Sequence, residues 1–244
     1  MTPWRAIIFD LDDTLYPERA YVLSGFAAVA HWAEAALGIP AAPGYAALER
    51  LFAQGVRGDT FNTWLAAHGI PTGDGENKVE GATPSSNVVA KLVEVYREHT
   101  PHLAPFPEVP PLLGRLSQNY RLGLVSDGYL AVQQRKWAAL GLEQFFGAVV
   151  FSDELGRAHW KPSPRPFEVV TQRLGVPPET AVYVADNPKK DFLGARRAGL
   201  GAVWLRRPDG EYTALEPPTP DHAPSVTIAE LGALEPWLAR SLSR

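Results

Sequence analysis

Four short stretches of the chain combine side chains that could do chemistry together. The first is Asp10-Leu11-Asp12-Asp13-Thr14, which follows the apolar run Ala6 to Phe9. An aspartate ending a buried strand, with another two residues on, could place two carboxylates in one crevice. Their mutual repulsion calls for a cation or a shared proton. A hard cation such as Mg²⁺ suits oxygen ligands and the phosphate of a substrate. One carboxylate could then act as nucleophile and the other as general acid and base. Aspartate and threonine are also ordinary turn and cap residues, so this pattern alone leaves both readings open.

The other three stretches are weaker singly. In Leu124-Val125-Ser126-Asp127-Gly128 a small hydroxyl ends an apolar run, and the turn residues after it offer backbone N–H groups to an anion. A plain helix cap would look the same. In Trp160-Lys161-Pro162-Ser163-Pro164 the prolines stiffen a loop whose lysine could bridge a phosphate and a carboxylate, although a single lysine is commonly a solvated one. Ser163 reads as an N-cap and Pro164 as the first helical residue. In Ala185-Asp186-Asn187-Pro188-Lys189-Lys190-Asp191, Asp186 suits direct ligation of Mg²⁺, and Asp191 suits a supporting place, orienting water or Lys161. A cap followed by a first-turn acid is the bland alternative.

Elements that would bring these residues together are written in the hydropathy pattern. Ala6–Phe9, Leu122–Val125, Ala148–Phe151, Ala181–Ala185 and Ala202–Leu205 are continuous apolar runs with helical patterns between them. Such runs predict strands buried on both faces, hence an α/β fold with a Rossmann-like parallel sheet covered by helices. Ligands of open parallel sheets bind at the carboxyl ends of the strands, where Asp10, Ser126 and Asp186 all fall. Over a hundred residues separate the first two strands, far more than one crossover needs. Leu23, Phe26, Ala30, Ala33 and Leu37 keep helical spacing there, with Gly38 placed to end the helix. Further helices are expected at Tyr45–Gln54, Thr60–His68 and Ser86–Glu98, the last capped by Ser85 or Ser86, with a loop at Pro71–Pro84. The division expected is a core of residues 1–15 and 101–244 and an inserted all-helical cap of 16–100. Pro208–Pro224 reads as irregular, Val226–Ile228 as a short strand, and Leu231–Leu242 as a final helix.

Taken together and in this order, the four stretches resemble the haloacid dehalogenase-like (HAD) hydrolase superfamily, and the helical insert resembles the cap of its first subclass. No comparable insertion separates Ser126 from Lys161, which disfavours the second cap class. The resemblance implies a Mg²⁺-dependent phosphatase acting through an aspartyl-phosphate. Asp10 would be nucleophile and metal ligand. Asp12 would be acid and base, with its backbone carbonyl on the metal. Ser126 and the Asp127 N–H would hold phosphate, Lys161 would neutralise charge, and Asp186 would hold Mg²⁺, with Thr14 and Asp191 in support. One departure is Ala185, where members of the family usually carry glycine. A phosphomutase of the β-phosphoglucomutase type shares every core motif. A 2-haloacid dehalogenase lacks the counterpart of Asp12, and a silent binding module would not need the full set.

Bulk properties fit that expectation. The chain has 244 residues, 45% apolar and 20% charged, with a net charge of −4. This suits a packed core and a small phosphorylated metabolite as partner, and argues against nucleic acid or an anionic membrane. Cysteine is absent, which excludes disulfides and thiolate chemistry and is compatible with a cytoplasmic location. Met1 to Arg5 runs straight into an apolar strand, so no signal peptide is expected. The Ala-rich stretch Phe26–Ala42 is broken by His31, Glu34, Gly38 and Pro40, so no membrane span is expected. Tyr16, Glu18, Arg19, Trp32, Arg57, Asp59 and Trp64 are candidates for substrate contact.

Overall fold

The computed structural model describes residues 4–71 and 86–241. The loop expected at Pro71–Pro84, apart from Pro71, and a cap at Ser85 or the Ser86 side chain lie outside the described residues. The chain divides into two compact units, Met1–Glu18 with Leu103–Arg244, and Arg19–His102.

The first unit is built on six parallel strands: β1 (Ala6–Phe9), β2 (Arg121–Ser126), β3 (Ala148–Phe151), β4 (Ala181–Ala185), β5 (Gly201–Leu205) and β6 (Val226–Ile228). Their order is β3-β2-β1-β4-β5-β6. Every residue of β1 and β4 is fully buried, which is why both read as unbroken apolar runs. After β1 the chain builds β2 and β3 on one side, then crosses to β4 on the other. The order therefore reverses between β1 and β4, and a crevice opens beyond their carboxyl ends. The ladder runs one residue past β1, since Asp10 N donates to Val184 O at 2.9 Å, and this fixes Asp10 at the rim.

Helices α5 (Val109–Leu116), α6 (Leu130–Leu140), α7 (Arg165–Leu174), α8 (Asp191–Arg197) and α9 (Leu234–Ser241) belong to the same unit. The α7 helix packs on β2 and β3, and α8 on β4 and β5. Gly123 permits the first contact, because a Cβ there would meet Val170 at 2.9 Å and Leu174 at 3.0 Å. Ile8, Val125, Phe167, Tyr183 and Phe192 form the centre of this core, and burying each large apolar side chain contributes about 1.5–3 kcal/mol. The sequence reading did not anticipate α5, whose Pro110 and Pro111 look like breakers. They sit in its first turn, where a missing N–H costs nothing, and Leu112, Leu113 and Leu116 are buried behind them. The α9 helix begins three residues later than expected, after a 3₁₀ turn at Leu231–Ala233.

The second unit holds α2 (Ala41–Ala53), α3 (Thr60–Ala67), α4 (Ser86–Glu98) and all but the first residue of α1 (Glu18–Leu37), with no strand among its described residues. The α2 helix starts earlier than Tyr45 because Pro40 precedes it and Pro43 sits in its first turn, a place that tolerates proline. Phe26, Val29, Ala33, Leu48, Trp64, Leu65 and Leu92 form a separate core. No helix among the described residues is long and apolar enough to cross a membrane.

Candidate active site

Two groups of side chains meet at the carboxyl ends of β1, β2 and β4. The first centres on Lys161, in the loop before α7. Its Nζ donates to Asp10 Oδ1, Asp191 Oδ1 and the Tyr183 hydroxyl oxygen, each at 2.8 Å. An ammonium has three N–H bonds, and these contacts occupy all of them. The loop is held from both sides. Lys161 N donates to Asp127 Oδ2 at 3.0 Å, and the carbonyls of Pro162 and Ser163 lie against Gly194 of α8. Asp191 is fixed in turn, since its Oδ2 accepts from Asn187 N at 2.9 Å.

Burial sets the charges here. It works against a cationic Lys161, but Asp10 and Asp191 outweigh it and hold the ammonium well above its usual range. Burial also pushes the Asp10 carboxyl up to about 6, with Lys161 opposing the rise. Asp186 is raised well above a normal carboxyl, first by burial and then by Asp191 and Asp10.

Asp186 is 8% exposed, and its carboxylate accepts no hydrogen bond from the described residues. A buried acid without a donor is costly unless a cation or proton satisfies it. Asp10, Asp186 and Asp191 each offer an oxygen, all within 4.8 Å of one another. Both Asp191 oxygens already accept hydrogen bonds, which leaves Asp10 and Asp186 as the better donors. An all-oxygen set of this kind fits a hard divalent cation. The backbone carbonyl of Asp186 is held by Trp204 Nε1 at 2.8 Å, so the residue has a fixed place at the end of β4.

The second group surrounds Asp12. Its Oδ1 accepts from Lys136 Nζ at 2.7 Å and from the Tyr16 hydroxyl, and its Oδ2 from Gln133 Nε2 at 3.3 Å. Lys136 also donates to Glu18 Oε1 at 3.1 Å, and its side chain is only 3% exposed. Burial alone would raise the Asp12 carboxyl, but Lys136 and Tyr16 prevail and hold it below its usual range. Glu18 is pushed up to about 7 by the charge of Asp12 and by burial. The backbone allows this crowding because Asp13 takes a left-handed φ of 51° and its Oδ1 accepts from Glu18 N at 2.9 Å. Aspartate tolerates that region better than most residues.

A cleft of about 180 Å³ is lined by Asp10, Asp12, Asp127, Asp186, Lys190 and Tyr212, among others. Of the expected residues, Asp10, Asp12, Asp127 and Asp186 line it, and Lys161 joins Asp10 to Asp191 beside it. Ser126 is fully buried, and its Oγ donates to Gln133 Oε1 at 3.3 Å. Gly128, two residues on, lines the cleft at a φ of 134°, where a Cβ would collide with Gln133. Thr14 is fully buried, and its Oγ1 has no hydrogen-bond partner among the described residues.

Several candidates for substrate contact are engaged elsewhere. Trp64 is fully buried in the helical unit, with Nε1 on Gly44 O at 3.1 Å, so it is a core residue. Trp32 packs against the same core. Arg57 lies over the Phe52 ring at 3.8 Å and donates to the carbonyls of Phe52 and Val56. Asp59 accepts from Asn62 and Thr63, and Arg19 pairs with Glu49 at 2.8 Å. Tyr16 and Glu18 are bound into the Asp12 group instead of standing open to a ligand.

Sequence reasoning missed Gln133, Lys136, Tyr183, Lys190 and Tyr212. One signal was available for the first two. They lie three residues apart on α6, hence on one face, together with Trp137 and Leu140, and all four are buried.

Comparison with known proteins places this geometry in context. The family model described as haloacid dehalogenase-like hydrolase matches residues 4–199. A Methanopyrus kandleri protein called glyceraldehyde 3-phosphate phosphatase is 41% identical over 150 residues, 61% of this chain and 63% of that protein. The alignment thus spans less than two thirds of that relative. A protein of the same name from Methanothermobacter thermautotrophicus is 32% identical over 203 residues, 82% of this chain and 85% of its own. Among solved structures, a 2-haloacid dehalogenase from Pseudomonas syringae is 25% identical with a TM-score of 0.62, covering 98% of this chain and 99% of the other.

Proposed function

Because the chain belongs to the haloacid dehalogenase-like hydrolases, we propose that it is a phosphatase that hydrolyses small phosphomonoesters through an aspartyl-phosphate on Asp10. The observation that carries this reading is the placement of Asp10 and Asp12 on one cleft, each held by a buried lysine of its own. Lys161 fastens Asp10 Oδ1 and leaves Oδ2 without a donor among the described residues, as a nucleophile requires. Asp12 is oriented by three donors, as an acid and base requires.

In this mechanism Asp10 Oδ2 attacks phosphorus as the bond to the ester oxygen breaks, and Asp12, a carboxylate in the free enzyme, relays a proton from solvent to the departing oxygen. Water then attacks the phosphorylated Asp10, its proton passes to Asp12, and orthophosphate leaves. Mg²⁺ held by Asp10, Asp186 and the Asp12 backbone carbonyl would supply positive charge against the phosphoryl oxygens. Ser126 and the Asp127 N–H would add hydrogen bonds to the phosphate, with Thr14 and Asp191 supporting the loops. The names of the two archaeal relatives support a small phosphorylated metabolite as substrate. A chain without cysteine suits a reducing cytoplasm.

The test is Asp10→Asn assayed for phosphate release with p-nitrophenyl phosphate and Mg²⁺. Loss of turnover with the fold retained is expected, and activity near wild type refutes the nucleophile. The likeness to a dehalogenase gives a second reading. Asp12, with its dedicated Lys136, speaks for acid–base chemistry at a phosphoryl group, and halide release from a 2-haloacid would decide for dehalogenation.

A further inference from the structure

We propose that Lys136 is the positioning residue of the second half of the reaction. It would hold the Asp12 carboxylate in the orientation that takes a proton from water as the phosphorylated Asp10 is hydrolysed. This rests on the phosphatase reading above.

Three observations carry it. Lys136 is a lysine with a side chain only 3% exposed, on a helix that otherwise covers the sheet. Such a charge is retained at a large desolvation cost unless partners are built for it. Its partners include two carboxylates, Asp12 at 2.7 Å and Glu18 at 3.1 Å. Glu18 belongs to the chain segment leaving the site, so the ammonium ties α6 to both ends of the loop that carries Asp12. The third observation is how Asp12 is divided. Lys136 and the Tyr16 hydroxyl both sit on Oδ1, whereas Oδ2 accepts one hydrogen bond, from Gln133 at 3.3 Å, and the residue lines the cleft. Anchoring one oxygen so firmly fixes where the other points. Lys161 cannot share this work, since all three of its N–H bonds are taken in the other group.

The two halves of the reaction use Asp12 unequally when the leaving group is activated. A p-nitrophenolate departs without a proton, so phosphorylation of Asp10 proceeds without Asp12. Hydrolysis does not. The water oxygen bonds to phosphorus, the bond to Asp10 breaks, a water proton moves to Asp12, and orthophosphate departs. Loosening Asp12 therefore slows the second half selectively, and phosphorylated enzyme accumulates.

The experiment is stopped-flow release of p-nitrophenolate from p-nitrophenyl phosphate with Mg²⁺, for wild type, Lys136→Met and Lys136→Arg, with circular dichroism to confirm folding. Lys136→Met is expected to give a burst approaching one equivalent of enzyme, followed by turnover slowed on the order of 100-fold, the scale of a misplaced catalytic group. Lys136→Arg, which keeps the charge, is expected to recover most of the steady rate and to reduce the burst. Should Lys136→Met fold poorly, Glu18→Gln loosens the same ammonium and is expected to give a smaller burst. A steady rate within twofold of wild type in Lys136→Met, or in Glu18→Gln where that variant replaces it, overturns the proposal. So does a slowed Lys136→Met or Glu18→Gln with no burst, which is the mark of a merely structural residue. A wild-type chain that releases no nitrophenol overturns the phosphatase reading itself, and the proposal with it.

Discussion

Replacing Gly194 by alanine would put a methyl group where the Lys161 loop already lies. A Cβ at Gly194 would stand 2.6 Å from the Ser163 carbonyl oxygen and 2.8 Å from that of Pro162, where ordinary contact begins at 3.4 Å. The shortfall, 3.4 Å less 2.6 Å, is 0.8 Å, and it has to be met by backbone because both neighbours are carbonyls. If the loop takes it up, the contact from Lys161 to Asp191 stretches from 2.8 Å to as much as 3.6 Å, outside hydrogen-bond range. Alanine gains about 1 kcal/mol over glycine within a helix, while overpacking costs about 1–3 kcal/mol, so a net loss of up to about 2 kcal/mol is expected. The catalytic effect should be larger, since misplacing a reacting group by about 1 Å can cost on the order of 100-fold in rate. Guanidinium unfolding and kcat with p-nitrophenyl phosphate measure the two. Gly114→Ala is the control, because its Cβ would meet only Phe145 at 3.9 Å. It should be no less stable than wild type and fully active. If Gly194→Ala behaves like Gly114→Ala, the loop is not held by that contact and the account of Lys161 is wrong.

Three other perturbations have signs fixed by the structure. Asp10 binds its proton more tightly when folded, at about 6 against an ordinary 3.8. Its contribution to stability is therefore full below pH 3.8 and lost as pH rises through 6, a total of about 3 kcal/mol. In a chelator, Asp10→Asn should gain about that much on wild type between pH 4 and 7 by chemical denaturation, and a constant difference between the two speaks against the shift. Asp186→Asn should raise the Mg²⁺ concentration for half-maximal rate by about 10-fold or more, and an unchanged value removes Asp186 from the metal site. Trp64→Phe keeps most of the ring but removes the Nε1 hydrogen bond to the Gly44 carbonyl, which still has its helical partner. It should cost about 0.5–1.5 kcal/mol in thermal unfolding, and an unchanged Tm shows that this bond adds nothing to stability.

What could be read from the sequence follows a physical rule. Asp10 and Asp186 were legible because each ends a strand buried on both faces, so a polar residue there has only the rim of the sheet to occupy. Lys161 was legible through its prolines, which mark a stiff loop before α7. Aromatic residues in the helical insert were not. Trp64 offered the same pattern whether it faced a ligand or the core, and only the close approach of Gly44 shows which.

The residues around Asp12 were hidden for a different reason. Lys136 sits between Arg135 and Trp137 on a helix of mixed character, and composition cannot tell a lysine that reaches solvent from one that reaches a carboxylate. The distinction is made by Asp12 itself, 124 positions away in sequence, which returns to α6 only because β1 and β2 pair in register from Ala6–Arg121 to Phe9–Leu124. That register puts Asp10 and Val125 at the same level, so the chain leaving β1 toward Asp12 and the chain leaving β2 toward Gln133 and Lys136 emerge side by side. A slip of this pairing by one residue would turn alternate side chains to the opposite face of the sheet and carry α6 away from the loop. Catalytic geometry here is therefore a consequence of strand register, which only the folded sheet supplies.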